Sequence, residues 1–591
     1  MKRSILLSCA IALLATAGCG DASTNGPRTR RYVFRAVGGA SMGAITATQL
    51  GLRYSQMFDI ITPSGGGLDL SRMFDYFSRG MLGGFCTPPE VGRMCRAPGQ
   101  DQDYEHMNCG GSNAGGFDRT SMIKAFEDMF IAYGNQALFN PEHPYLPPGV
   151  PASWLALSRS ERCQHPVVLP AFYDDEFNPE GTYPAITYCE ADSDERGVFD
   201  PAIPPNFPVE ITLAIDINGN GRRDSGEPVL LRTGERFDDV GEDGLADADE
   251  PGYDPDTNPD PNGDDYDALK NPLGTEKSGF YDEGEPYRDF GLDGVPQTRG
   301  SPYDFGEGNG RYDFNPRVLR MAAMYDPSHL VKNLPREELD RLDFYVDVGI
   351  RDHLGFRFSS EGFVGLMGAL GRPFDIRDGF EALMTEDHRH LYDVHHIDWQ
   401  NLGRDVFVRY GKPDATPAEI DAGDGGHVGT YDQVVYRFWS IVAYISHHWP
   451  DGDYENVEHL SRARVLDLTY PSAILGEDRQ FFLYLPPGYD ERPEARYPVL
   501  YLLHGIGMEA TDLTAAVLFT DPWMAEGTLQ KFIMVFPDGR CGDDCFSGTF
   551  FANQMGRDKP PRRYEDSFFT ELIPYIEANF RTRPPQEFEL P

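Results

Sequence analysis

The chain has 591 residues, enough for two to four domains, and carries 94 Asp+Glu against 52 Lys+Arg for a formal net charge of −42. A surface this acidic repels nucleic acid and anionic membranes, which excludes nucleic acid as a partner and suits either cations or plain solubility. The charge is uneven, with 32 Asp+Glu against 10 Lys+Arg between Glu190 and Asp313.

Residues 1–19 read as a targeting segment. Lys2-Arg3 is followed by an apolar run from Ile5 to Leu14 and by the small residues Ala15-Thr16-Ala17-Gly18 before Cys19. The apolar run is too short to span a bilayer. The segment resembles a bacterial lipoprotein signal, which implies export, lipidation of Cys19 and a membrane anchor. Plain secretion with cleavage near Ala17, to the periplasm or outside, is the alternative. Export permits disulfides among Cys86, Cys95, Cys109, Cys163, Cys189, Cys541 and Cys545, whose connectivity stays open.

A short apolar run, Tyr32 to Gly38, then leads into Gly39-Ala40-Ser41-Met42-Gly43, and a helix-compatible stretch follows from Ala44 to Tyr54. Strand, Gly-x-Ser-x-Gly and helix in this order predict a nucleophile elbow at Ser41. The glycines let neighbouring backbone close around a serine on a strained turn. The elbow stands oddly near the N-terminus, because such a sheet needs strands before it. Phe58 to Gly66 reads as a buried strand ending in a Gly-rich turn, which closes a first unit at 31–70.

Residues 71–205 form a Cys-, Gly- and Pro-rich insertion, and 206–314 form an acidic one. An alternating strand, Val209 to Ile215, runs into Asp216, Asn218, Asn220, Arg222, Asp224 and Glu227, with Gly221 at the sixth position. Oxygens at positions 1, 3, 5, 9 and 12 of such a loop match the EF-hand spacing for calcium. No helix precedes this one. The spacing partly recurs at Asp239, Asp243, Asp247 and Glu250, a second candidate loop. Structural calcium is therefore expected, with bare Asp-Gly turns as the competing reading.

The unit 315–449 supplies a strand at 342–349 followed by Asp352, a helix from Ser360 to Leu370, a His-bearing stretch at 372–400, a strand at 405–411, Gly425-Gly426-His427, and an amphipathic helix from Tyr431 to His448. The unit 463–591 opens with a strand pair at 464–470 and 479–486. Buried strands at 497–503 and 532–537 and a helix from Asp566 to Phe580 follow.

The last unit resembles the opening of the esterase D-like α/β-hydrolases. The resemblance rests on Arg479, Phe482-Leu483-Tyr484-Leu485-Pro486-Pro487-Gly488-Tyr489 and Tyr497-Pro498-Val499-Leu500-Tyr501-Leu502-Leu503-His504-Gly505. In that family the elbow strand follows a helix like 568–580, and here that continuation is found at residues 32–43. The resemblance implies an α/β fold whose hydrolase sheet is assembled from both ends of the chain, circularly permuted, with a large Cys- and Asp/Gly-rich insertion. It implies Ser41 as nucleophile, His427 as base, Asp352 as acid, and Met42 and Ile506 as backbone donors to an oxyanion. Asp347 rivals Asp352, and His395 and His396 rival His427. His504 is expected to shape the oxyanion loop rather than titrate. The implied activity is hydrolysis of a carboxylic ester, carbohydrate-linked esters included, with no cofactor for catalysis. Acyl transfer with the same triad, or calcium-dependent binding on a non-catalytic scaffold, are the alternatives.

Overall fold

The computed structural model describes residues 29–70, 72–73, most of 165–188, 212–221, 229–230, 237–289, 325–514 except 353 and 391, 517–540, 548–553 and 562–589, with a few isolated residues besides. The targeting segment with Cys19, the seven other cysteines named above, and Arg222, Asp224 and Glu227 lie outside the described residues.

The N-terminal part supplies β1 (Thr29–Tyr32), β2 (Arg35–Ala40), α1 (Met42–Arg53) and β3 (Ile60–Ser64). Strands β4 (Val168–Leu169), β5 (Ala185–Tyr188), β6 (Thr212–Ile215) and β7 (Val229–Leu230) make a small antiparallel sheet of their own. Then come β8 (Asp343–Gly349), α2 (Phe356–Ala369), β9 (Asp375–Asp378), β10 (Val406–Tyr410) and α3 (Tyr431–His448). The C-terminal part adds β11 (Arg464–Ser472), β12 (Glu477–Leu485), β13 (Val499–Leu503), β14 (Ile533–Pro537) and β15 (Gln586–Glu589).

Nine of these strands form one sheet in the order β11-β12-β14-β13-β2-β3-β8-β10-β9. Strands β14 through β9 run parallel, while β11 and β12 are antiparallel. The two ends of the chain meet at the β13–β2 seam, where Val499 stands opposite Arg35 and Leu503 opposite Gly39. The sheet is thus built from both ends, as the sequence predicts.

Both faces of the central strands are covered, which is why they read as unbroken apolar runs. Successive side chains alternate between two cores. Val499, Tyr501, Leu503, Phe344, Val346 and Val348 face the core shared with α1 and α2. Leu500, Leu502 and Tyr345 face the core shared with α3.

Three expectations need correction. The run from Tyr32 to Gly38 is not one strand: it breaks at Val33-Phe34, where Phe34 takes φ +56°. The Asp59 carboxylate holds this break by accepting from the Val33 N–H at 2.9 Å and the Phe34 N–H at 2.6 Å. β1 then leaves the main sheet and pairs antiparallel with β15, Tyr32 opposite Gln586. Second, α2 starts at Phe356, a turn earlier than the Ser360 expected. Third, the ambiguous stretch 372–400 resolves into the edge strand β9 and three short 3-10 turns.

The acidic region 237–289 is built of turns and lies against α2. Arg72 stacks on the Tyr266 ring at 3.9 Å and donates to the Ser278 carbonyl at 2.6 Å. A Cβ at Gly365 would stand 1.6 Å from the Ala268 carbonyl oxygen, so this glycine permits the close approach.

Candidate active site

Ser41 ends β2 and begins α1 with φ 54° and ψ −117°, a conformation costly for any residue but glycine. The turn is held from two sides. The Ser41 N–H donates to the Ser64 carbonyl at 2.9 Å, and the Ala44 N–H donates to the Ser41 carbonyl at 2.9 Å. A Cβ at Gly43 would lie 2.2 Å from the Leu503 oxygen, so only glycine lets the first turn of α1 meet the end of β13.

The three residues singled out for the chemistry come together. His427 Nε2 lies 2.9 Å from Ser41 Oγ, and His427 Nδ1 lies 2.8 Å from Asp352 Oδ2. Asp352 is buried just past β8, and its other oxygen accepts from the Leu354 N–H at 2.9 Å. His427 is buried as well, with the Phe356 ring edge-on at 5.2 Å. Such a line carries a proton from a hydroxyl to an imidazole whose other nitrogen is held by a carboxylate.

The two backbone groups named for an oxyanion flank Ser41. Met42 is the first residue of α1. Ile506 follows Gly505, whose Cβ position would be 3.2 Å from Ser41 Cβ. His504 braces this loop: its Nδ1 donates to the Gly505 carbonyl at 2.9 Å, and its Nε2 accepts from the Gly539 N–H at 2.9 Å. Burial lowers its pKa, so the ring stays neutral in that role.

The rivals are employed elsewhere. Asp347 sits in β8 and accepts from Arg437 Nε and from Ser64 Oγ. His395 lies between Asp393 and Glu526, and His396 stacks on His388 at 3.6 Å.

Arg437 is the functional candidate that sequence reasoning missed. Its Nη1 donates to the carbonyls of His427 and Val428, both at 3.0 Å, while its Nε is anchored on buried Asp347 at 2.8 Å. Tyr410 Oη also donates to the Gly426 and His427 carbonyls, at 3.0 and 3.1 Å. The His427 loop is therefore tied at its backbone to α3, β8 and β10. A signal existed: a lone arginine amid the apolar text of α3, and a second aspartate, Asp347, in the middle of the β8 strand that Asp343 opens.

The metal candidates are only partly brought together. The Asp216 carboxylate is buried and accepts from the Asn220 and Gly221 N–H groups at 3.1 and 2.8 Å; Asn218 Oδ1 also accepts from the Asn220 N–H at 3.0 Å. The second set does not form one loop. Asp239 accepts from the Ser278 and Gly279 N–H groups, Asp243 and Glu250 gather with Asp264, and Asp247 gathers with Asp265 and Glu276. The spacing misleads because the turns fold Asp264, Asp265 and Glu276 back between its members.

Residues 472–588 match the protein family described as "Putative esterase". The chain is 32% identical over 132 residues to an endo-1,4-beta-xylanase/feruloyl esterase of Xylanibacter ruminicola, covering 21% of this chain and 17% of that protein. It is also 32% identical over 114 residues to an esterase of Mycobacterium tuberculosis, covering 19% and 23%. The matched stretches thus span less than a quarter of these curated relatives. Among solved structures, a ferulic acid esterase of Anaeromyces mucronatus is 24% identical, covering 23% of this chain and 50% of that one, with a TM-score of 0.17.

Proposed function

We propose that the chain, whose residues 472–588 fall within that esterase family, is an exported serine hydrolase of carboxylic esters that works through an acyl-enzyme. The observation that carries this reading is the continuous line Ser41 Oγ, His427 Nε2, His427 Nδ1, Asp352 Oδ2, with links of 2.9 and 2.8 Å. The esterase names of the matched relatives support it.

In the proposed cycle, His427 Nε2 takes the Ser41 proton as Oγ attacks the ester carbonyl carbon. Charge develops on the carbonyl oxygen, where the Met42 and Ile506 N–H groups stabilise it. Collapse breaks the carbon–alkoxy bond, and the alcohol leaves with the proton from His427. Water then repeats the attack on the acyl-serine, with His427 again as base, and releases the acid. Asp352 holds the imidazole in the tautomer that keeps Nε2 open to Ser41.

Feruloyl and other carbohydrate-linked esters are the substrates we infer, from the printed activity of the first relative. The order of parts, with early strands at the C-terminal end and the elbow at the N-terminal end, is read as a circular permutation; the parallel β13–β2 seam and the β1–β15 ribbon support it. Among the described residues no helix is long and apolar enough to cross a membrane. The lipoprotein-like residues before Cys19 support attachment through lipid on Cys19, and Cys19→Ala should then move the protein to the soluble fraction. The function itself is tested by Ser41→Ala against 4-nitrophenyl acetate and methyl ferulate. Loss of turnover with an unchanged circular dichroism spectrum is expected, and retained turnover would refute the assignment.

A further inference from the structure

Among the described residues, the acidic region holds two groups of three carboxylates, and only one has a cation of its own. In the first group to consider, Asp247, Asp265 and Glu276 surround the Lys277 ammonium. Lys277 Nζ bonds Asp247 directly and lies 2.7 Å from Asp265 and 3.6 Å from Glu276. In the other group, Asp243, Glu250 and Asp264 bring one oxygen each within 4.8 Å of one another. No lysine or arginine among the described residues is paired with any of these three.

Both groups keep buried oxygens without a hydrogen-bond partner, Asp247 Oδ1 and Glu276 Oε2 in the first, but only the first has an ammonium to balance them. Glu250 is 5% exposed, and its Oε1 has no hydrogen-bond partner, although Oε2 accepts from the Asn262 N–H at 3.2 Å. Asp264 Oδ1 is likewise buried without a partner. Asp243 closes the third side, with its Oδ2 accepting from Asn262 Nδ2 at 3.4 Å and its Oδ1 from the Leu245 N–H at 2.9 Å. An ionised carboxylate oxygen removed from water without a donor is strongly disfavoured, and three together repel one another.

From this geometry we propose that Asp243, Glu250 and Asp264 bind a divalent cation, calcium by preference, that fixes the turns of the acidic region against α2. Oxygens on opposite sides of a calcium ion stand about 4.8 Å apart, twice a bond of about 2.4 Å, so the mutual spacing suits a shared ion. The all-oxygen donor set suits a hard cation and disfavours zinc or copper. The ion fills in this group the place that Lys277 fills in its neighbour. Gly241 takes φ +79°, and a Cβ there would stand 2.1 Å from Asp264 Oδ2, so the backbone leaves room for that carboxylate to turn inward.

The test uses the full chain, stripped with chelator and titrated with calcium chloride by calorimetry and thermal melting. The parent is expected to bind calcium and to melt higher as calcium rises. Glu250→Gln is expected to bind one calcium fewer per chain and to show a crossover: it melts above the parent in chelator, because repulsion is relieved, and below it in calcium. A calcium-indifferent parent, or a Glu250→Gln variant with the parent's full stoichiometry and melting gain, would overturn the proposal. Should Glu250→Gln not fold, the exposed Asp243→Asn replaces it. That variant is expected to bind one calcium about tenfold more weakly, since affinity follows the charge of the ligand set; an unchanged affinity would overturn the proposal equally.

Discussion

Leu503 and Gly39 stand opposite each other in parallel register at the seam between β13 and β2. The Leu503 carbonyl also lies where a Cβ on Gly43 would go, at 2.2 Å. The C-terminal part thus packs directly against the first turn of the helix that follows Ser41. Gly43→Ala must push these backbones apart, and overpacking of this kind costs about 1–3 kcal/mol. Urea denaturation should show that loss, together with reduced ester turnover. Parent-like stability and turnover would mean that the seam is looser than described.

Asp352→Asn keeps an oxygen for the Leu354 N–H but, on the proposed mechanism, loses the charge that steadies the imidazolium and selects its tautomer. Turnover of 4-nitrophenyl acetate should fall by about 10⁴ with little change in stability. A fall below about tenfold would move the acid role elsewhere.

On the proposed mechanism Arg437 positions the base, since it donates to the His427 and Val428 carbonyls. Arg437→Met leaves Asp347 buried without its cation, and breaking such a pair costs about 3–5 kcal/mol. Adding Asp347→Asn should return much of that stability. Turnover should stay low, because the His427 loop keeps only the Tyr410 donor and still lacks the arginine. If activity returned along with stability, the arginine's role would be purely structural.

Asp59 is buried behind the β1–β2 break, and desolvation pushes its carboxyl up to about 6 despite the N–H donors of Val33 and Phe34. Because the folded state prefers the protonated acid, this group favours folding more as pH falls through 6 toward the unfolded value near 3.9. That advantage is lost as pH rises from about 4 through 6, and above 6 the cost of the buried charge is full and constant. The parent should therefore lose stability relative to Asp59→Asn between about pH 4 and 6, with the difference levelling off above that. A stability difference flat with pH would show Asp59 to be charged at no cost.

Much of this arrangement was legible because it is written in local text. The apolar runs of β3, β8, β13 and β14 mark strands buried on both faces, and Gly39-x-Ser41-x-Gly43 marks a turn that only glycines permit. The complementarity of the two ends made a single sheet the economical reading. What remained hidden depends on contacts between distant segments. The break at Phe34 is made by Asp59, a residue of another segment. The anchoring of His427 by Arg437 needs β8 and α3 to be packed first. The grouping of the acidic side chains is hidden for the same reason. Spacing can suggest a loop, but Glu250 finds Asp264, and Asp247 finds Glu276, only through the turns between them.

The central claim is that Ser41 carries the acyl group. It is tested most directly by mixing the protein with 4-nitrophenyl acetate, quenching in acid within the first turnovers, and mapping the peptides by mass spectrometry. The account predicts one acetyl group on the peptide containing Ser41, accumulating in His427→Ala if at all only slowly, and absent from Ser41→Ala. Acetylation of another residue at the parent's rate of turnover, with Ser41 unmodified, would contradict it.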